Sequence, residues 1–205
     1  MAVASDLNQL RPDLFTWQVY DTKAKADLFS TALATKTGFF VIDPIQLDKA
    51  SLTQLTSVAP IRGIILTNAN HLRAVETYVN DYSVPVYAHR RAVSNVTLGP
   101  VNEITEGTRI SDGLKSITIE GAGPGEIALY HAADGGTLVV GDTLINFDPY
   151  GFTFLPDKYC ENPRQMRESL RKLLDYNAER ILFAHGMPIL SRARGRLRQL
   201  LDVDL

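Results

Sequence analysis

Residues 61–89 read IRGIILTNANHLRAVETYVNDYSVPVYAH. The opening IRGIILT is a short, isoleucine-rich apolar run of strand length. In HLRAVETYVNDY, residues Leu72, Val75, Tyr78 and Val79 fall at helical spacing on one face, and VPVYAH is again apolar and short. The stretch is therefore a strand–helix–strand unit.

The pattern on its N-terminal side is different. FTWQVYD, DLFSTALA, TKTG and FFVIDP alternate apolar bursts with turn residues, which predicts antiparallel strands. Between them and the opening unit, Leu47 to Val58 places Leu52, Leu55 and Val58 on one helical face and stops before Pro60. Beyond Asn102 strands return as EGTRI, LKSITIEG, EIALYHA and TLVVGDTLI. They are separated by Asp112-Gly113, Gly123-Pro124-Gly125 and Asp134-Gly135-Gly136. Asn162-Pro163 then caps a helix with Met166, Leu170, Leu173 and Leu174 on its apolar face; ERILFAHG is a strand, and a last helix starts near Ser191. Strands then helices occur twice, so the chain is read as one domain over residues 1–205, of α/β (α+β) class, built as an αββα four-layer sandwich.

Composition narrows the functions. The chain has 205 residues, 45% of them hydrophobic, enough for a substantial core. A net charge of -2 gives the whole molecule no electrostatic reason to seek nucleic acid or an anionic membrane, so any basic site must be local. The single cysteine, Cys160, excludes an intramolecular disulfide and a thiolate metal cage. The N-terminus lacks the basic start and apolar stretch of a signal peptide, and no apolar run approaches the roughly 20 residues of a membrane span. A cytoplasmic protein is expected, without membrane partners, acting on a small molecule or another protein not identifiable from sequence.

Five segments in order resemble the metallo-β-lactamase superfamily. FFVIDP ends on Asp43 as the family's early strand does. IILTNANHLRAV resembles a strand followed by Thr-His-x-His-x-Asp-His; EGTRISDGLKSITIEGAGPGEIALYH resembles the strands around Pro-Gly-His. GGTLVVGDTLI is similar to the Gly-Asp-Thr-Leu segment, and ILFAHGMPI to the strand that delivers a last His-Gly. The resemblance implies a hydrolase ancestor whose ligands bind two metals and leave a position for water. It also implies that Asp142, His185, the Gly121 to Gly125 turn and Thr67 to Arg73 meet at one edge.

The departures are at the ligands themselves. Carried over by position, the first two histidines become Asn68 and Asn70, the Asp-His pair becomes Leu72 and Arg73, and the histidine after Pro-Gly becomes Ala122. Only Asp142 and His185 remain, as remnant catalytic or ligand residues. Amide oxygens replace imidazole poorly, and a permanent cation at Arg73 repels a dication, so no bound metal or cofactor is expected. The Arg73 guanidinium is instead expected to neutralise Asp142, with His185 near the same carboxylate.

Several residues keep two readings. Thr67, Asn68 and Asn70 either bind a polar ligand at the loop before a helix or stabilise that loop. His71 adjoins a lost ligand, but a helix start turns about 100° per residue and aims its ring elsewhere. Asn68, Asn70, His71 and Arg73 are thus candidate binding residues. His89 and His131 are read as packing or surface residues, and the arginines of SRARGRLRQLL as a solvated helix.

The functional expectation is a metal-free binding or regulatory module descended from a hydrolase, its zinc-dependent activity lost. The alternative is a divergent hydrolase that uses Asp142 and His185 with zinc or another divalent metal. A nucleic-acid factor is a third candidate, against which the net charge argues.

Overall fold

The structure, a computed structural model, describes residues 2–22, 25–94 and 100–203. It divides into two compact units, Met1–Glu103 and Ile104–Leu205.

The first unit is built on a seven-stranded sheet in chain order: β1 (Asn8–Arg11), β2 (Leu14–Asp21), β3 (Ala26–Thr35), β4 (Gly38–Ile42), β5 (Ile61–Ile65), β6 (Val86–Ala88) and β7 (Val101–Glu103). Strands β1 to β4 are antiparallel, as the alternating pattern predicts. From β4 onward neighbours are parallel. The switch follows from the crossovers: helix α1 (Lys49–Val58) lies between β4 and β5, and helix α2 (Val75–Tyr82) between β5 and β6. Asp48 caps α1, accepting a hydrogen bond from the Ser51 amide. Val58 is half exposed, so the face of α1 carries Leu52 and Leu55 rather than three apolar residues. Leu55, Val75 and Tyr78 pack with Phe15, Phe39, Val41 and Ile64 in one core. That core also holds Trp17, fully buried, whose indole N–H donates to the Ile45 carbonyl at 2.8 Å. The hydrogen bond satisfies the polar end of an otherwise apolar ring.

The second unit has a five-stranded sheet in the order β14-β11-β10-β9-β8. Its strands are β8 (Arg109–Ser111), β9 (Leu114–Thr118), β10 (Ile127–His131), β11 (Thr137–Val140) and β14 (Arg180–Phe183). Among the described residues of this sheet only the β11–β14 pair is parallel. Helix α3 (Pro163–Leu170) begins where Asn162-Pro163 predicts. The Asn162 side chain accepts from the Gln165 amide, and proline fills the first turn. Helix α4 (Ala193–Asp202) closes the unit. Met166, Leu170, Leu173, Leu197 and Leu201 are buried against Leu138, Val140 and Ile181.

One expected strand is two. TLVVGDTLI leaves the sheet after Val140, and Leu144–Phe147 (β12) pairs with Gly151–Phe154 (β13) as a separate two-stranded ribbon. The break at 141–143 lifts Asp142 out of the strand. The repeated order of strands and helices is visible among the described residues, where each unit carries one large sheet and two α-helices. No helix among the described residues is long and apolar enough to cross a membrane.

Candidate functional site

Candidate residues occur in both units. In the first, Asp43 follows β4 with a left-handed φ of 50° and is buried. The strand ends here, and the loop after β5 comes to meet it. The Thr67 amide donates to Asp43 Oδ1 at 2.8 Å and the Thr67 hydroxyl to Oδ2 at 2.7 Å. His71 Nδ1 lies 3.0 Å from the same Oδ2 and 2.8 Å from the Thr67 hydroxyl. A carboxylate only accepts, so the Nδ1 position carries the hydrogen, and a neutral ring then presents Nε2 as its basic nitrogen. That is the way a carboxylate orients a histidine for ligation or proton transfer.

Burial strongly raises the pKa of the Asp43 carboxyl, but His71, Arg73 and Thr67 more than offset it, and the net shift is downward. Arg73, with φ 38°, sends Nη1 to the backbone carbonyls of Phe29 and Asp43. These bonds tie β3 at Phe29 to Asp43, the residue that follows β4.

The substituted ligand positions carry structural duties. Asn68 is fully buried, and its Oδ1 accepts from the Asn70 amide at 2.8 Å, opening a single 3-10 turn over Ala69–His71. Of its two readings, loop stabilisation is visible in this bond. Asn70 is exposed, and Leu72 packs on the first core. In the second unit Ala122 is buried in the core, one residue after Gly121, whose φ of 81° and close approach to the Asn162 carbonyl admit no side chain.

Asp142 and His185 are brought together by register. β11 and β14 run parallel with Val140 opposite Phe183, so residues two beyond each partner leave the sheet at one level. His185 Nε2 lies 3.1 Å from Asp142 Oδ1, both side chains mostly buried. The Thr143 amide beside them donates to Oε1 of the buried Glu126 at 3.2 Å. Behind His185, the segment 185–187 is strapped to β12. Asn146 N–H donates to the His185 carbonyl, the Met187 amide donates to the Asn146 carbonyl, and the Asn146 side chain donates to the Met187 carbonyl at 2.6 Å.

Sequence reasoning missed the Asp43–His71 pair and Glu126. Asp43 and His71 are 28 residues apart, and nothing local in either segment marks them as partners. The remaining histidines match their bland reading. His131 is buried in β10, and His89 accepts from the Arg91 amide as the cap of a 3-10 turn, where burial pushes its pKa down. Cys160 is half-buried with Sγ 3.6 Å from the sulfur of Met166, and burial raises its thiol pKa. Such a thiol is an unreactive packing group.

The residues present test the family's metal set directly. Asn68 Oδ1 is spent on a backbone amide, Arg73 is cationic, Leu72 and Ala122 offer no donor, and the two-metal set does not fit. Asp142 and His185 retain the donor chemistry for one ion. Their 3.1 Å separation is close to the roughly 3.4 Å edge of a tetrahedron with ligands about 2.1 Å from its centre.

Comparison with known proteins places these two sheets. The model of the metallo-β-lactamase superfamily matches residues 7–203, nearly the whole sequence. A metallo-β-lactamase from Erythrobacter litoralis is 16% identical with a TM-score of 0.74, covering 96% of both chains. One from Pontibacter korlensis is also 16% identical, with a TM-score of 0.73 over 96% of this chain and 98% of that one. A metallo-β-lactamase family protein from Thermus thermophilus is 17% identical with a TM-score of 0.67, covering 96% and 80%. No protein with a curated description matches. The fold is that of the metallo-β-lactamases, α+β with mixed sheets, and the chain belongs to the metallo-β-lactamase superfamily.

Proposed function

We propose that this chain is a hydrolase-like binding module that works without its superfamily's two-metal hydrolysis. One observation carries the reading: ligand positions have been turned into structural ones, most plainly at Asn68, sealed from solvent and bonded to the Asn70 amide. A residue with that duty is not held in reserve for a metal. What remains polar and close in the second unit is the Asp142–His185 pair, which offers a carboxylate acceptor and an imidazole to a ligand.

A second reading is a one-metal hydrolase using Asp142 and His185. The tetrahedral spacing of the two donors favours it, as does membership of a superfamily whose enzymes use zinc. Here zinc or another divalent ion would supply Lewis acidity at a bound water. The chain's own residues would hold the ion and orient the imidazole.

Elemental analysis of protein purified without added zinc separates the two, combined with a hydrolysis screen on lactam, thioester and phosphodiester substrates. The binding-module reading predicts well under one metal per chain and no turnover. One metal per chain that disappears in both Asp142→Ala and His185→Ala, with turnover lost alongside, would overturn it and establish the enzyme.

A further inference from the structure

The second unit holds an open cavity, its polar side exposed to solvent, that neither reading uses. It has a volume of about 730 Å³ and lies between the loop 188–191 and the first turns of α4. That is within the usual size range of a small-molecule site. One side is apolar, formed by Pro188, Ile189 and Leu190. The other carries Ser191, Arg192, Arg196 and Gln199.

Arg196 and Gln199 are three apart on one face of α4, and Arg192, the left-handed residue that precedes the helix, lines the same space. The alternating arginines of SRARGRLRQLL do not all share a face. Arg194 is turned away, its side chain donating to the Leu174 carbonyl. Among the described residues the guanidinium groups of Arg192 and Arg196 have no hydrogen-bond or ion-pair partner. The carboxylate of Glu179 accepts from the Arg192 backbone amide and does not line the cavity. No Asp or Glu lines it at all. Two unpaired guanidinium groups beside a hydroxyl and an amide form a donor-rich wall that recognises an oxyanion.

Gly195, between the two arginines, is exposed and also lines the space. A Cβ added there would meet nothing within 4 Å, so helix packing does not demand glycine, although glycine inside a helix costs about 1 kcal/mol relative to alanine.

We propose that this cavity binds a small phosphate-bearing molecule, its phosphate held by Arg192 and Arg196 and its body lying on the Pro188–Leu190 wall. The volume exceeds what a lone anion fills, and the apolar wall gives the rest of the ligand something to cover. Neither Asp142 nor His185 takes part, so the outcome is independent of metal binding.

Titration of ¹⁵N-labelled protein with inorganic pyrophosphate tests it, with citrate and a short single-stranded RNA as separate arms. The expected result is saturable movement of the 188–199 amide resonances. Arg192→Gln and Arg196→Gln should each weaken pyrophosphate binding about tenfold or more, and Gly195→Glu should abolish it. Arg198→Gln, at an exposed position outside the lining, should leave it unchanged. Gly195→Ala is the folding control for the glycine position. The proposal is overturned if pyrophosphate moves no resonances, or if Arg198→Gln weakens binding as much as the lining variants. Equal or tighter binding of citrate, or binding of RNA alone, also overturns it.

Discussion

Asp43 shows how one buried carboxylate can organise a loop. It accepts from Thr67 twice and contacts His71, while Arg73 binds its backbone carbonyl. Removing the carboxyl strands the Thr67 amide and hydroxyl and His71 Nδ1 while leaving the backbone carbonyl to Arg73, so Asp43→Ala should destabilise the protein by about 3 kcal/mol or more in urea unfolding. The pH dependence follows from the direction of its shift. A carboxyl whose folded pKa is depressed contributes its full stability above the unfolded value, 3.8, and loses it as pH falls through the folded value. Wild-type stability should therefore fall as pH drops below about 4. Asp43→Asn should flatten that part of the curve, and an unchanged acid limb would show that Asp43 does not pair in solution. At the same scale, Arg73→Ala frees the Phe29 and Asp43 carbonyls from their donor and should cost about 1–3 kcal/mol.

At the level of elements, the strap between β12 and His185 makes a sharper case. Gly186 has φ 113°, and a Cβ there would stand 2.2 Å from the Asn146 carbonyl oxygen. Gly186→Ala should cost about 2 kcal/mol or more and push His185 away from Asp142. The side-chain resonances of His185 should move as the carboxylate contact is lost; unmoved resonances would mean the strap does not position the ring. Asn162→Ala, by contrast, removes one cap and should cost about 1 kcal/mol with the fold intact. These elements also show what was readable from the residues. The Asn162-Pro163 cap and the apolar faces of α2 and α3 are local signals, and the observed helices obey them. The split of TLVVGDTLI was not readable, because both halves are apolar and Gly141 alone does not say whether a strand ends or bends. Asp142 and His185 could be named from family resemblance, but their 3.1 Å contact depends on the parallel register of β11 with β14. The Asp43–His71 pair depends on tertiary proximity alone, and the one-residue argument that aimed His71 elsewhere could not say what it would meet.

For the molecule as a whole, the binding-module reading makes a thermal prediction. A ligand that binds only the folded state raises its melting temperature by mass action, so zinc added to metal-free protein should move the midpoint by less than about 1 °C. A rise of several degrees, absent in Asp142→Ala, would favour the one-metal enzyme instead. A second whole-molecule consequence comes from Trp17. It is the sole tryptophan of the sequence and is buried in the unit Met1–Glu103. Its emission should accordingly be blue-shifted in the native protein and should redden only when that unit opens, whatever happens to Ile104–Leu205. Circular dichroism sees both sheets. Overlaying the two signals through a denaturant series would reveal whether the halves melt as one cooperative body or in sequence, with no label attached and no residue changed.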